Sequence, residues 1–351
     1  MSEPADNGLG ALAMPPVCIC VPTYNAAGTV RATLQSILAQ SYGNLIVHIS
    51  DNASTDDTLQ VIAAIADPRI RIHRQAENGG AELNFTRCIQ MATGKYTAIF
   101  HADDIYEPDM VARQVSFLES NQDVGAVFTE AMMINEHGTA LGTTGAVPGR
   151  RMGVTRLGFA ELLKAMLLQH SFLVCSSAMV RTKIYKDDIG EWGGRGFRSA
   201  ADVDIWLRVA ASKPIAVLAE RLMRYRISDT QYSQRNRNRT ERLDFFLVMD
   251  AYLARPEVRA LLTVKDFIHY GWLERHERVA RAMNLFGLGR AAEARDLLRG
   301  VLCWDAVRAA ASTRRGFVTL AGATLLLLLM PFGAWSRGRA IVNAAKSISW
   351  R

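Results

Sequence analysis

The 351-residue chain is poor in cysteine, and its five, Cys18, Cys20, Cys88, Cys175 and Cys303, are odd in number and scattered. That excludes a disulfide scaffold. No pair has partners at zinc-type spacing, so the thiols read as buried groups in a reducing compartment. Cys18 and Cys20 flank one residue of a predicted strand and point to one face. The first dozen residues lack an apolar stretch and carry Glu3 and Asp6, which argues against a secretory signal peptide. No glycine-rich phosphate loop with basic residues follows the first apolar run. Pro22-Thr23-Tyr24-Asn25 stands there instead, which counts against a nucleotidyltransferase.

Acidic residues are missing altogether after Asp305, where Arg308, Arg314, Arg315, Arg337, Arg339, Lys346 and Arg351 lie. The net charge of +7 is therefore unevenly placed. Between the basic clusters runs Phe317 to Trp335, uncharged and containing Leu325–Leu329. Nucleic-acid binding favours basic residues but has no use for a leucine run between them, so nucleic acid is not an expected partner. A membrane surface fits both features. Pro331 and arginines at both ends speak against a straight span of fixed orientation. The expectation is a helix lying in or dipping into the cytoplasmic leaflet; the alternative is a buried C-terminal helix packing on the sheet domain.

Hydrophobic residues make up 49% of the chain and charges are mixed, a globular composition. Residues 17–21, 45–50, 70–73 and 96–100 read as buried strands. Helical spacing separates them, with Val30, Leu34, Ile37 and Leu38 on one face of the first helix. This alternation predicts βαβ units and a mostly parallel, doubly wound sheet. Further strands are predicted over 124–135, 176–181 and 215–227, with helices over 159–168 and 202–211. Residues 243–304 read as mostly helical, and a boundary falls near 230–240.

The fourth strand ends at His101-Ala102-Asp103-Asp104, where two carboxylates emerge together. In open α/β sheets ligands bind outside the carboxyl ends of strands. Mg²⁺ is usually held by one or two carboxylates plus substrate phosphates. Asp103 and Asp104 are thus candidate metal ligands, although an acidic pair is also ordinary turn chemistry. Asp51, at the end of the second strand, can accept from a base N–H or ribose hydroxyl, or cap the helix that follows. Asn78-Gly79-Gly80 permits left-handed backbone and close approach to a ligand, or a plain turn. Asp202 and Asp204 open a helix. A carboxylate there can act as general base, or can simply favour the helix dipole, the preferred reading for Asp204. Trp206 reads as core; Trp192 and His170 are weaker candidates for an acceptor pocket.

Val21-Pro22-Thr23-Tyr24-Asn25, Asp51 to Thr58, Glu77-Asn78-Gly79-Gly80, Ala102-Asp103-Asp104 and Asp202 to Arg208 occur in this order. Together they make the chain resemble a family-2 glycosyltransferase of the GT-A fold over roughly residues 15–230. The resemblance implies an inverting transfer of a sugar from a UDP-, GDP- or dTDP-type donor to a sugar or lipid-linked glycan acceptor. Pro22, Thr23, Tyr24, Asn25, Asp51, Asn78, Gly79, His101 and Asp103 would bind the nucleotide sugar. Asp103 and Asp104 would hold Mg²⁺ or Mn²⁺, and Asp202 would be the base. Two departures stand out: His101 replaces the first acid of the family's Asp-X-Asp, and Ala201 precedes Asp202 where Glu is frequent. Arg224, Tyr225, Arg226, Gln231 and Ser233 resemble the segment that closes over the diphosphate. The implied organisation is a flexible tail (1–14), a GT-A domain (15–234), a helical extension (235–312) and a membrane-associating segment (313–351), at the cytoplasmic face of the cell membrane. The rival readings are a non-catalytic, membrane-associated nucleotide-binding scaffold and a nucleotidyltransferase.

Overall fold

A computed structural model describes residues 14–144, 147, 153–228 and 238–330. Two compact units interleave along the chain. One takes residues up to Met132, Val174–Trp192 and Ser212–Tyr225; the other takes Met133–Leu173, Gly193–Ala211 and the chain from Arg226.

The first unit is built on a sheet whose parallel half is ordered β3-β2-β1-β4, from β1 (Val17–Thr23), β2 (Leu45–Asp51), β3 (Ile70–Arg74) and β4 (Tyr96–Ile99). β1 is apolar on both faces and buried, as a central strand covered by helices requires. Its register sets Val17 opposite Leu45 and Thr23 opposite Asp51, so two candidate site loops leave the sheet level with each other. Cys20 lies opposite Ile99, which brings the chain beyond β4 to the same edge.

Helix α1 (Val30–Leu38) buries Val30, Leu34 and Ile37, one face at helical spacing, in this core. Helices α2 (Thr58–Ala63) and α3 (Ala81–Met91) make the next two crossovers. The turn from α3 into β4 needs Gly94: its φ is +75°, and a Cβ would lie 2.6 Å from the Pro16 carbonyl oxygen.

The sheet then departs from parallel pairing. Beyond β5 (Ile105–Tyr106) and α4 (Met110–Ser120) come β6 (Ala126–Ile134), β9 (Met179–Arg181) and β10 (Ile215–Arg226), continuing the order β4-β9-β6-β10-β5. β9 is antiparallel to both β4 and β6, and β10 to β5. The doubly wound expectation thus holds for the N-terminal strands, and the other half makes the sheet mixed. All five cysteines are free, and Cys18 and Cys20 sit fully buried with sulfurs 3.7 Å apart.

The second unit contains short strands β7 (Ala140–Thr143) and β8 (Val154–Leu157) and helices α5 (Phe159–Gln169) and α6 (Ala201–Ser212). C-terminal helices follow over Asp244–Leu253, Pro256–Arg259, Val264–Gly287, Ala291–Leu298, Trp304–Ser312 and Arg314–Leu329. The long helix starts on a capping box in which Thr263 and Asp266 exchange bonds. Val279, Met283, Phe286 and Leu298 form its core with Ala323 and Leu326 of the last described helix. Among the described residues, no helix is long and apolar enough to cross a membrane. Pro331 to Trp335, the end of the apolar run, lies outside the described residues, as do Gln231 and Ser233.

Candidate functional site

Three loops converge at the carboxyl edge of the parallel strands through one residue. Asn52, buried just after β2, donates its backbone N–H to the Thr23 carbonyl at 2.8 Å. Its Nδ2 donates to Asn78 Oδ1 at 2.8 Å and to the Gly80 carbonyl at 3.1 Å. Its Oδ1 accepts from the Gly79 N–H at 3.1 Å and from Arg87 Nη1 at 3.3 Å. Its backbone N–H and both side-chain polar atoms are used, as burial demands. Gly80, with φ +86°, supplies the left-handed step into α3.

The Pro22–Asn25 loop is held from the other side. The Asn25 N–H donates to Ser54 Oγ at 3.0 Å, and its Oδ1 accepts from the Thr55 N–H at 2.8 Å. Asn25 takes a positive φ of 48°, which asparagine tolerates better than most residues. Tyr24 is left exposed. Asp51 is fully buried, and Ser54 donates to its carboxylate from both the backbone N–H (3.1 Å) and Oγ (2.5 Å). Asp56 rather than Asp51 serves the start of α2, accepting from the Thr58 N–H and hydroxyl and from the Ala27 N–H.

At the end of β4 the two acids differ. Asp104 is fully buried; its Oδ2 accepts from Ser176 Oγ at 2.5 Å and its carbonyl from Thr33 Oγ1 at 2.8 Å. Asp103 is half-buried. Ligand atoms of His101, Asp103 and Asp104 all lie within 4.8 Å of one another. Two carboxylates suit a hard cation, and an imidazole nitrogen is better tolerated by transition ions such as Mn²⁺ than by Mg²⁺, so the donor set fits a divalent cation. His101 Nε2 is buried and has no hydrogen-bond partner among the described residues. Burial pulls its pKa below the usual value, with Asp103 opposing. Its ring meets Phe85 edge-on at 5.5 Å, and Phe85 packs on Trp192 at 4.7 Å. Trp192 is fixed by paired bonds to Thr86, its N–H donating and its carbonyl accepting. Arg224 is engaged with Glu107 at 2.8 Å.

In the second unit, Asp202 occupies the first turn of α6. It is half-buried, and burial pushes its pKa up to about 6, against the pull of nearby backbone N–H groups. Asp204 is structural: it accepts from Tyr252 at 2.9 Å and pairs with Arg195 and Arg208. Trp206 is core, as its apolar surroundings in the sequence suggest. His170 stacks on Phe245 at 3.9 Å with a φ of +75°.

The sequence alone marks neither Asn52 nor Ser176. Asn52 stands in a motif whose acids carry the stronger chemical signal. Ser176 lies 72 positions from its partner Asp104, with no local signal to link them.

Loops gathered at the carboxyl edge of a parallel half-sheet, with an acidic strand end among them and antiparallel strands beyond, are the architecture of the GT-A glycosyltransferase fold. Residues 18–188, just under half of the chain, match the model for "Glycosyl transferase family 2". EpsE of Bacillus subtilis, named as a glycosyltransferase, is 29% identical over 197 residues, which are 55% of this chain and 66% of EpsE. The Escherichia coli UDP-Glc:alpha-D-GlcNAc-diphosphoundecaprenol beta-1,3-glucosyltransferase WfaP is 33% identical over 106 residues, 30% of this chain and 42% of WfaP. The chain thus spans just under two-thirds of the first relative and less than half of the second. Among solved structures, Staphylococcus aureus TarS 1-349 with UDP-GlcNAc matches 95% of the chain and 92% of its own, with a TM-score of 0.57 at 15% identity. The mannosyltransferase PcManGT of Pyrobaculum calidifontis, with GDP-Man and Mn²⁺, matches 97% and 88%, with a TM-score of 0.51 at 19% identity.

Proposed function

We propose that the chain transfers a sugar, with inversion, from a nucleotide-diphosphate donor to an acceptor hydroxyl, through a GT-A domain over residues 15–234. The observation that carries this reading is the gathering of the 22–25, 51–52, 78–80 and 101–104 loops at one edge of the parallel strands. Pro22, Thr23, Tyr24 and Asn25, with Asp51, bind base and ribose. Asn78 and Gly79 approach the diphosphate, and His101 with Asp103 completes that end. Mg²⁺ or Mn²⁺ held by Asp103 and Asp104 would neutralise charge on the departing diphosphate. Asp202 takes the proton from the acceptor hydroxyl, and its raised pKa suits a base working near neutral pH. The acceptor is a sugar or a lipid-linked glycan in cell-surface polysaccharide or glycolipid synthesis, met at the cytoplasmic face of the membrane. WfaP, whose name specifies a diphosphoundecaprenol-linked acceptor, supports that choice. The test is nucleotide diphosphate release from UDP-, GDP- and dTDP-sugars, with and without Mn²⁺. Release from none of them, with nucleotide still bound, would favour the scaffold reading.

A further inference from the structure

The last described helix, Arg314–Leu329, carries no charge after Arg315. A helix apolar all round needs cover on every side. One side is covered: Thr319, Ala323 and Leu326 are buried, and Gly322 brings the helix close to Met283. At about 100° per residue, Phe317, Ala321, Thr324 and Leu328 form a single opposite stripe, and all four are exposed. Phe317 is 62% and Leu328 63% exposed. Half-buried Leu320 and Leu325 flank them. On the preceding helix, Trp304 is 75% exposed. An apolar strip of this length left exposed marks a contact site.

We propose that this stripe rests in the interfacial layer of an anionic bilayer, with the helix parallel to the membrane plane and its other side held by the protein. Charge complementarity selects this occupant. The chain after Asp305 has seven basic and no acidic residues, and Arg314 opens the helix beside the stripe, while Arg315 turns inward to the Leu168 carbonyl. Cationic residues beside an apolar helix face are the chemistry that recognises anionic lipid. The inference deepens the membrane-acceptor part of the function proposed above and rests on it, but its physical content is separable.

The experiment is sedimentation of the full chain with vesicles of phosphatidylcholine alone or with added phosphatidylglycerol. The wild type is expected to bind the anionic vesicles and to lose binding at high salt. The double variant Phe317→Glu/Leu328→Glu, altered only at exposed positions, is expected to partition at least about tenfold less. Val264→Glu, at another exposed apolar position, is expected to bind as wild type does. Nucleotide release from the donor without lipid is expected to be unchanged in the double variant. Absent wild-type binding, equal binding by the double variant, or equal loss in Val264→Glu would each overturn the proposal. So would a wild-type dimer, seen by light scattering, that the double variant dissolves while vesicle binding is absent. Vesicle binding without nucleotide release from any donor would overturn the glycosyltransferase reading and leave the lipid face standing.

Discussion

Ser176 Oγ donates to Asp104 Oδ2 at 2.5 Å, and both residues are fully buried, so a short turn before β9 anchors the acidic end of β4. The neighbouring acids should therefore fail differently. Asp104→Ala strands the Ser176 hydroxyl and is expected to cost about 1–3 kcal/mol of stability. Asp103→Ala should leave the melting temperature nearly unchanged while abolishing Mn²⁺-dependent nucleotide binding. Calorimetry with nucleotide and metal separates the two; equal thermal losses would show that Asp103 is structural.

His101 should set the metal ranking. An imidazole beside two carboxylates favours Mn²⁺ over Mg²⁺, and His101→Asp should narrow that gap by restoring an all-oxygen set. The measurement is titration of each ion against protein with bound nucleotide diphosphate. An unchanged ratio would remove His101 from the cation's surroundings.

Asp202 makes a two-part prediction. Its carboxyl, held up at about 6 by burial, must be ionised to act as base, so turnover should fall as pH drops through about 6. Asp202→Asn should lower turnover about 10²–10⁴-fold with donor affinity retained. The folded state holds this proton more tightly than the unfolded chain does, so stability declines as pH rises from 4 to 6. That places a cost of about 3 kcal/mol on the ionised form at neutral pH. The Asn variant should therefore melt higher at pH 7, and a lower melting point would contradict the buried-base assignment.

Asn52→Ala removes every side-chain bond that holds the 78–80 loop to β2. We expect a loss of about 1 kcal/mol, since the Asn78 and Gly79 partners are exposed and regain water, and weaker donor binding. Denaturant unfolding and nucleotide titration report the two effects.

The helical unit should be acid-sensitive. Burial, aided by Arg315, pulls both His170 and His276 down to about 4. Their stabilising effect is complete above the unfolded value near 6.5 and is lost as pH falls from there toward 4. Each contributes up to about 3 kcal/mol. His170→Asn, a residue that accepts the positive φ, should flatten stability between pH 7 and 5 in urea titrations.

The parallel half of the sheet was legible because runs such as Val17–Val21 alternate with helix-spaced apolar residues, a signal contained in adjacent positions. The longer strands of the other half, over 124–135, 176–181 and 215–227, were legible too, but their order and antiparallel direction were not. β9 is only three residues long, and nothing local says that Met179–Arg181 slots between β4 and β6. The same limit applies to the site. Asp51, Asp103 and Asp202 announce themselves as acids at strand ends or a helix start. Asn52 and Ser176 matter through contacts made across the fold. Asp204 read as a helix-dipole carboxylate, because Tyr252 and Arg195 reach it only in three dimensions.

The sulfur pair in β1 gives the parallel half-sheet a clock of its own. Cys18 and Cys20 have no exposed surface, and the Cys18 thiol is pushed far above its ordinary range by its bond to Cys20 and by burial. Cys175 and Cys303 are only half-buried. An alkylating reagent will therefore mark those two early and reach β1 only when the central strand parts from its neighbours. The slow labelling of Cys18 and Cys20, separated by peptide mapping from that of buried Cys88 in α3, then times the opening of the half-sheet, and a bound nucleotide will lengthen it in proportion to how firmly it clamps the loops at the strand ends.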